Sequence, residues 1–215
     1  MPAQEGQSMD QRADRMKTLI VNTFFDCLEE EDFSNITVGK LAAAARINRS
    51  TFYRHFEDKY QLRDYVVDGI VSDFVENLEV DFLDLDIRTD PVYVRTLKNS
   101  LEHIRLQKRE LQILWGQKLL GRNVFEEMIE GGAGKIEERI RQNSRITPYR
   151  KQYADWYARL LLNNMLVSVR WWFGHENEIS SEKMTELMRQ HMIAGTIPTL
   201  KAAEADKKKD RGKGK

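Results

Sequence analysis

Arg49, Ser50, Thr51, Tyr53 and Arg54 place two guanidiniums, two aliphatic hydroxyls and a phenol within six consecutive positions. A guanidinium fork matches the O6 and N7 edge of guanine bidentately, and hydroxyls can serve bases or phosphates. With about 100° of rotation per helical residue, Phe52 and Phe56 define one buried face. Ser50 and Arg54 then point most nearly away from it, with Thr51 and Tyr53 on the flanks. Arg49 projects sideways, but from the first turn its long side chain reaches forward, which makes it the leading candidate for a guanine contact. Tyr53 and Arg54 suit the phosphate backbone. His55 lies at the buried edge, where packing and phosphate donation are equally open to it.

Two short helices are needed to hold these side chains. Val38, Leu41, Ala42 and Ala45 recur at i, i+3, i+4 and i+7, one face of a helix, and Thr37 stands before them as an N-cap. Arg46, Ile47 and Asn48 form a tight connection, and Asn48 can cap a second helix from Arg49 to about Phe56. This is helix-turn-helix spacing, and in that arrangement the start of the second helix meets base edges in the major groove. Lys40 stands where a capping box would carry a carboxylate. A cation there opposes the helix dipole, so a nearby phosphate would explain it, a solvated lysine being the plainer alternative. A third helix starts after Asp58, which has capping-box spacing to Gln61, with Lys59 at its first position. Residues 36–63 carry six basic and two acidic side chains, a net +4 in a chain that sums to zero.

The pattern ITV…LA…A…I…STFYRHF..K..L resembles the DNA-binding domain of TetR-family transcriptional regulators over about residues 12–67, and TFYRHF followed by DKYQL is its most diagnostic part. INRSTFYRHFEDKYQL is similar to a branch that includes regulators of dihydroxyacetone kinase operons. The resemblance implies that Thr37, Arg49 to Thr51, Tyr53, His55 and Lys59 face DNA. It also implies a second, helical domain that dimerises and often binds a small effector. Two positions depart from the family pattern, with Asp32 and Arg46 where glycine is common in the turns. A left-handed backbone at Arg46 would cost about 1 kcal/mol relative to glycine, and it sets a cation on the DNA side.

Composition narrows the alternatives. A chain of 215 residues, 41% hydrophobic and 32% charged, fits a helix-rich globular protein with one large or two small domains. Its single cysteine, Cys27, permits no internal disulfide and reads as a small core residue. The four histidines have no metal-ligand spacing, so neither a metal nor a cofactor is expected. Nucleophile-elbow and dinucleotide motifs are missing, which makes an enzyme the weaker class. With no leader pattern and no apolar run long enough for a bilayer, a cytoplasmic location without membrane attachment is expected.

The expected architecture is all-α, an N-terminal three-helix domain with the helix-turn-helix and a C-terminal bundle that dimerises. The expected boundaries are a mobile N-terminus at 1–11, a DNA-binding domain at 12–67, a ligand-binding and dimerisation domain at 68–200, and a disordered basic tail at 201–215. Met16, Leu19, Ile20, Phe24, Cys27 and Leu28 form the stripe of a first helix, and a long helix runs from Lys59 past Phe74. Further helices are predicted at Pro91–Leu106, Lys108–Trp115, Asn123–Glu130, Lys135–Gln142, Pro148–Phe173 and Ser181–Ile193, with an interruption at Gly131–Gly134. In the helix from Pro148, Tyr153, Trp156, Tyr157, Leu160 and Leu161 line one face and Leu162, Leu166, Val169 and Phe173 another. A helix apolar on two sides must be covered on two sides. The second stripe, with Met184, Leu187, Met188 and Met192, is therefore expected at a four-helix seam between subunits, with one larger monomeric core as the alternative. Tyr93, His103, Trp115, Trp156 and Tyr157 are candidate effector-lining residues, with plain core packing as the competing reading. Arg95 and Arg159 would join them if buried, because a buried unpaired charge seeks an anion.

The function expected is a DNA-binding regulator, a ligand-responsive repressor that binds a near-palindromic duplex operator as a homodimer. Two alternatives stay open: an activator, or a regulator controlled by a protein co-regulator in place of a small molecule. A helical enzyme ranks behind both.

Overall fold

The computed structural model describes residues 3–85, 88, 90–119 and 121–195. Among the described residues there are ten α-helices, two short 3₁₀ turns and no strand, an all-α fold. The basic tail at 201–215 lies outside them. Packing separates two compact units. The first runs to Glu76 and also takes Lys108–Met128; the second comprises Asn77–Gln107 and the chain from Ile129. A boundary at 67/68 would have assigned Lys108–Met128 to the second unit, but Leu111, Leu114 and Leu119 are buried in the first.

The first unit contains α1 (Ala3–Glu30), α2 (Val38–Ala44), α3 (Arg49–Tyr53), α4 (Lys59–Asn77) and α6 (Lys108–Gly116). Helix α1 begins inside the stretch expected to be mobile. Ile20, Phe24 and Leu28 form its inner face, while Leu19 is exposed and Cys27 half-buried, so the core stripe is narrower than predicted. Phe24 meets Phe33 edge-to-face at 6.0 Å, and Ile36, Leu41, Phe52, Phe56 and Leu62 complete the core behind α2 and α3. Two contacts fasten α6 to α1. Arg109 donates to Glu29 at 2.7 Å, and the Gln117 amide donates to the Leu28 carbonyl at 2.6 Å. Arg122 joins Asp64, Asp68 and Glu127 in a partly shielded network on the α4 side.

The second unit contains α5 (Pro91–Leu106), most of α7 (Val124–Gln142), α8 (Pro148–Lys151), α9 (Ala154–Phe173) and α10 (Ser181–Ala194). Asp90 caps α5 by accepting from the Val92 amide at 2.8 Å, and Pro91 takes the first helical position, where no N–H is needed. The interruption expected at Gly131–Gly134 is absent: α7 continues through it. Three glycines weaken a helix by roughly 0.5–1 kcal/mol each, but Ala133, Ile136 and Ile140 carry a buried stripe through the segment and hold it helical. Conversely, the single helix expected from Pro148 divides into α8 and α9, because Tyr153 (φ −105°, ψ 19°) leaves helical geometry. Trp172 is the largest buried side chain, and its indole N–H donates to the Ile179 carbonyl at 2.7 Å, closing the α9–α10 connection. Asp84, in the 3₁₀ turn Asp81–Asp84, is bound by Arg139 and Asn143, and its carbonyl accepts from Arg145 at 2.7 Å. That knot fixes the turn against the end of α7.

The second apolar stripe of α9 lies inside its own unit. Leu162, Leu166, Val169 and Phe173 are buried there, as are Met184 and Met188 of α10, while Leu187 and Met192 are half-buried. These residues fill the subunit core and, apart from Leu187 and Met192, have no surface left to offer a partner. Ala154 and Ala158, both fully buried, explain the choice: small side chains on that face let α9 approach its neighbours closely. The outer face of α9 carries Trp156, Leu160, Val167 and Trp171, each about half exposed.

Candidate nucleic-acid interface

The turn between α2 and α3 has a specific backbone logic. Thr37 caps α2, its hydroxyl accepting from the Lys40 amide at 3.2 Å. At the other end the Ile47 amide donates to the Ala42 carbonyl (2.9 Å) and the Arg46 amide to Ala43 (3.1 Å). That pair of bonds is a Schellman motif with Arg46 at the position that glycine usually fills. Arg46 has φ of 54°, and it is the single non-glycine residue with positive φ among the described residues. The left-handed conformation that the sequence raised is therefore adopted, by a residue whose Cβ makes it unfavourable.

Helix α3 is shorter than expected, with Arg54 as its C-cap, although the Phe56 amide still donates to Phe52 at 3.0 Å. Phe52 and Phe56 are buried with ring centroids 5.9 Å apart, which braces the helix from behind. Asn48, Arg49, Ser50, Tyr53 and Arg54 are exposed, and Thr51 is half-buried on the flank. Asn48 occupies the N-cap position but makes no side-chain capping bond, so its amide is uncommitted. The Arg49 guanidinium folds back over α2, where a Cβ on Gly39 would come within 2.6 Å of Nη2. His55 is half-buried; desolvation first, then Arg54 and Lys17, lower its pKa and favour the neutral ring.

The six cations of the motif separate into two groups. Lys40 pairs with Glu31 at 2.6 Å, Arg63 pairs with Asp64 and donates to the Leu119 carbonyl, and Lys59 is wholly engaged. The Lys59 ammonium donates to the carbonyls of Phe33 (2.9 Å), Ser34 (3.1 Å) and Ile36 (2.7 Å), and it sits 4.7 Å from the Phe33 ring centroid. An ammonium has three protons, and all three are used. Lys59 is thus a brace for the chain entering α2, which corrects its expected place among the phosphate donors. Lys40 differs, because an exposed ion pair is worth about 0–1 kcal/mol and a phosphate can replace Glu31 at little cost. Among the described residues Arg46, Arg49 and Arg54 have neither an ion pair nor a side-chain hydrogen bond, and they lie on α3, at its C-cap or in the turn before it.

Residues 20–66, which include this whole arrangement, match the family model described as bacterial regulatory proteins of the tetR family. Over that segment the chain is similar to the tetR family. It is 25% identical over 75 residues to the uncharacterized HTH-type transcriptional regulator YxbF of Bacillus subtilis, a match covering 34% of this chain and 20% of that protein. The fold is similar to that of NalD of Pseudomonas aeruginosa, the secondary repressor of the MexAB-OprM multidrug efflux pump. That likeness has a TM-score of 0.61 and 18% identity over 85% of this chain and 97% of that one. A TetR regulator from Streptococcus agalactiae 2603V is similar at a TM-score of 0.56, with 19% identity over 86% and 97% of the two chains. No helix among the described residues is long and apolar enough to cross a membrane.

The chain also has a cavity of about 500 Å³ in its second unit. Tyr93 and Tyr157, both anticipated as lining residues, contribute to it. His103, Trp115 and Trp156 do not: Trp115 packs on Phe125 at 5.5 Å in the first unit, and Trp156 faces outward. Arg95 is exposed and Arg159 pairs with Asp155 and Glu130, so neither is a buried charge. Burial pushes the Tyr93 pKa up to about 12, and its hydroxyl donates to the Met192 sulfur at 2.9 Å. Arg150, Asn164, Ser168 and His191 also line the cavity and were not anticipated. They come from α8, α9 and α10, whose convergence on the cavity only the packing reveals, although His191, four residues before Gly195, had helical spacing to Met184, Leu187 and Met188.

Proposed function

We propose that the chain is an effector-controlled repressor that binds a near-palindromic operator as a homodimer, with α3 of each subunit in successive major grooves. The observation that carries this reading is the set of three unpartnered arginines, Arg46, Arg49 and Arg54, on an outward helix backed by two buried phenylalanines. Arg49 reads a guanine, Ser50 and Thr51 contact bases or phosphates, and Arg46, Asn48, Tyr53, Arg54 and Lys40 hold the backbone. The cavity of the second unit supports control by a small molecule. An effector shifts the dimer toward a form with misplaced reading helices only through its higher affinity for that form.

Trp156, Leu160, Val167 and Trp171 supply the face for a second copy. They share one side of α9 at helical spacing, and an exposed apolar patch of this kind marks an interaction surface. Val167→Glu is expected to leave a folded monomer in sedimentation velocity that binds a single half-site weakly. A dimer of unchanged stability would remove this face from the seam.

Operator selection from random duplex DNA, followed by titration of variants, tests the reading as a whole. Arg49→Ala is expected to weaken operator binding by about 1–3 kcal/mol and relax the preference at one base pair. Unaltered affinity and preference would exclude Arg49 as the base reader.

A further inference from the structure

The cavity of the second unit has a chemistry that narrows its ligand. Its deeper wall is apolar and adaptable: Met165 and Met188 are buried, and Met192 and Leu161 are half-buried beside them. Methionine thioethers repack readily around irregular apolar shapes. The lining includes the exposed Arg150, and no aspartate or glutamate among the described residues. Several other arginines of this unit are occupied, and Arg95, exposed on α5, does not line the cavity. Arg139 is bound to Asp84, Arg141 to Glu137, Arg159 to Asp155 and Arg189 to Glu186, while Arg145 donates to a carbonyl. Arg150 has neither an ion pair nor a side-chain hydrogen bond among the described residues. Asp84, a carboxylate next in the chain to the lining residue Leu83, is already held by Arg139 and Asn143.

We propose that the cavity takes an organic monoanion with an extended apolar body, a free carboxylate of the acyl or aryl class, whose head is held by Arg150. The apolar body lies against Met165 and Met188, and the uncharged donors Tyr157 and Asn164 flank the head. A planar guanidinium binds a carboxylate bidentately, whereas a cationic ligand would meet Arg150 with no acid to offset it. The assignment rests on the reading of this cavity as the effector site, and it specifies the effector's charge and shape.

The test is calorimetric titration of the full chain, without DNA, using decanoate, 1-decanol and decylamine. Decanoate is expected to bind about tenfold or more tightly than 1-decanol, as one charge-assisted bidentate contact allows, and decylamine not measurably. Arg150→Gln should remove that preference by weakening decanoate alone; Arg150 is exposed on the short helix α8, and circular dichroism checks that the fold is kept. Ser168→Trp, which fills the cavity, should abolish binding of decanoate and of 1-decanol. The assignment is overturned if the amine or the alcohol binds as well as the carboxylate, if no ligand binds, or if Arg150→Gln weakens acid and alcohol equally. Operator release is scored separately. Decanoate that binds without releasing DNA would leave the cavity assignment standing and remove the effector-controlled repressor, whereas release by the amine would do the reverse.

Discussion

The two units use their basic residues in opposite ways. In the second, several arginines are neutralised in place: Arg139 by Asp84, Arg141 by Glu137, Arg159 by Asp155 and Glu130, and Arg189 by Glu186. Around α3 the arginines have no acid, and the paired residue there, Lys40, has an exposed and cheaply exchanged partner. Exposed pairs of either kind add little stability, so the contrast concerns availability. A guanidinium already held by a carboxylate must lose that contact before it meets a phosphate, and Arg46, Arg49 and Arg54 have nothing to lose. Arg150 behaves like the arginines around α3 and, unlike the exposed Arg95, lines the cavity, which is why an anion is assigned to it.

Lys59 tests this division most strongly, since it is basic, lies within the motif and is nevertheless fully engaged. Lys59→Met keeps the aliphatic stem beside Phe33 but leaves three carbonyls without their charged donor. Hydrogen bonds to charged groups contribute about 1.5–3 kcal/mol, and water reaches part of this site, so a loss of about 2 kcal/mol is expected. Urea unfolding gives the value. The salt dependence of operator binding, measured well below the unfolding midpoint, should keep its slope. A stable variant with a flattened slope would return Lys59 to the phosphate donors.

Much of helix α3 and the turn before it was legible because the information is local. Apolar spacing at Val38, Leu41 and Ala42, the Thr37 cap and the Phe52–Phe56 pair each concern residues within one or two turns. The α5 limits were equally readable, since Asp90 and Pro91 specify a helix start without outside help. What escaped was set by partners distant in the chain. The Lys59 carbonyls lie 23 to 26 residues away, and no periodicity registers a carbonyl. Helix α9 has two apolar stripes, and hydrophobicity alone does not say which one turns inward. Ala154 and Ala158 held the clue, because alanines four apart allow close approach, yet the larger aromatic residues outweighed them. The same bias favoured Trp115 and Trp156 as cavity residues over Arg150 and His191.

A smaller effect is expected at Arg46, where strain and availability meet in one residue. Glycine adopts φ of 54° without penalty, while it also makes the unfolded chain more flexible. Arg46→Gly should therefore stabilise the protein by about 0.5–1 kcal/mol, read as a higher urea midpoint. In the same variant the slope of log affinity against log salt should fall by about 1 if Arg46 holds a phosphate. Greater stability with an unaltered slope would mean that the strain serves no DNA contact.

Gly39 gives the finest discrimination between a fixed reading residue and a mobile one. A Cβ at this position would approach the Arg49 guanidinium to 2.6 Å, far closer than real contacts allow, and the neighbour is the far end of a flexible side chain. The fork can swing away at little cost, and alanine in the helix interior is worth roughly 0.5–1 kcal/mol over glycine. Gly39→Ala is thus expected to raise the melting temperature slightly while displacing Arg49 from its position over α2. If Arg49 reads a base from that position, operator discrimination falls with little change in nonspecific affinity, and Arg49→Ala adds nothing further in a double-mutant cycle. If the fork leaves α2 whenever it meets DNA, Gly39→Ala instead improves binding by removing the folded-back alternative. The sign of the change in operator affinity decides between a pre-positioned reader and one that must first let go of its own protein.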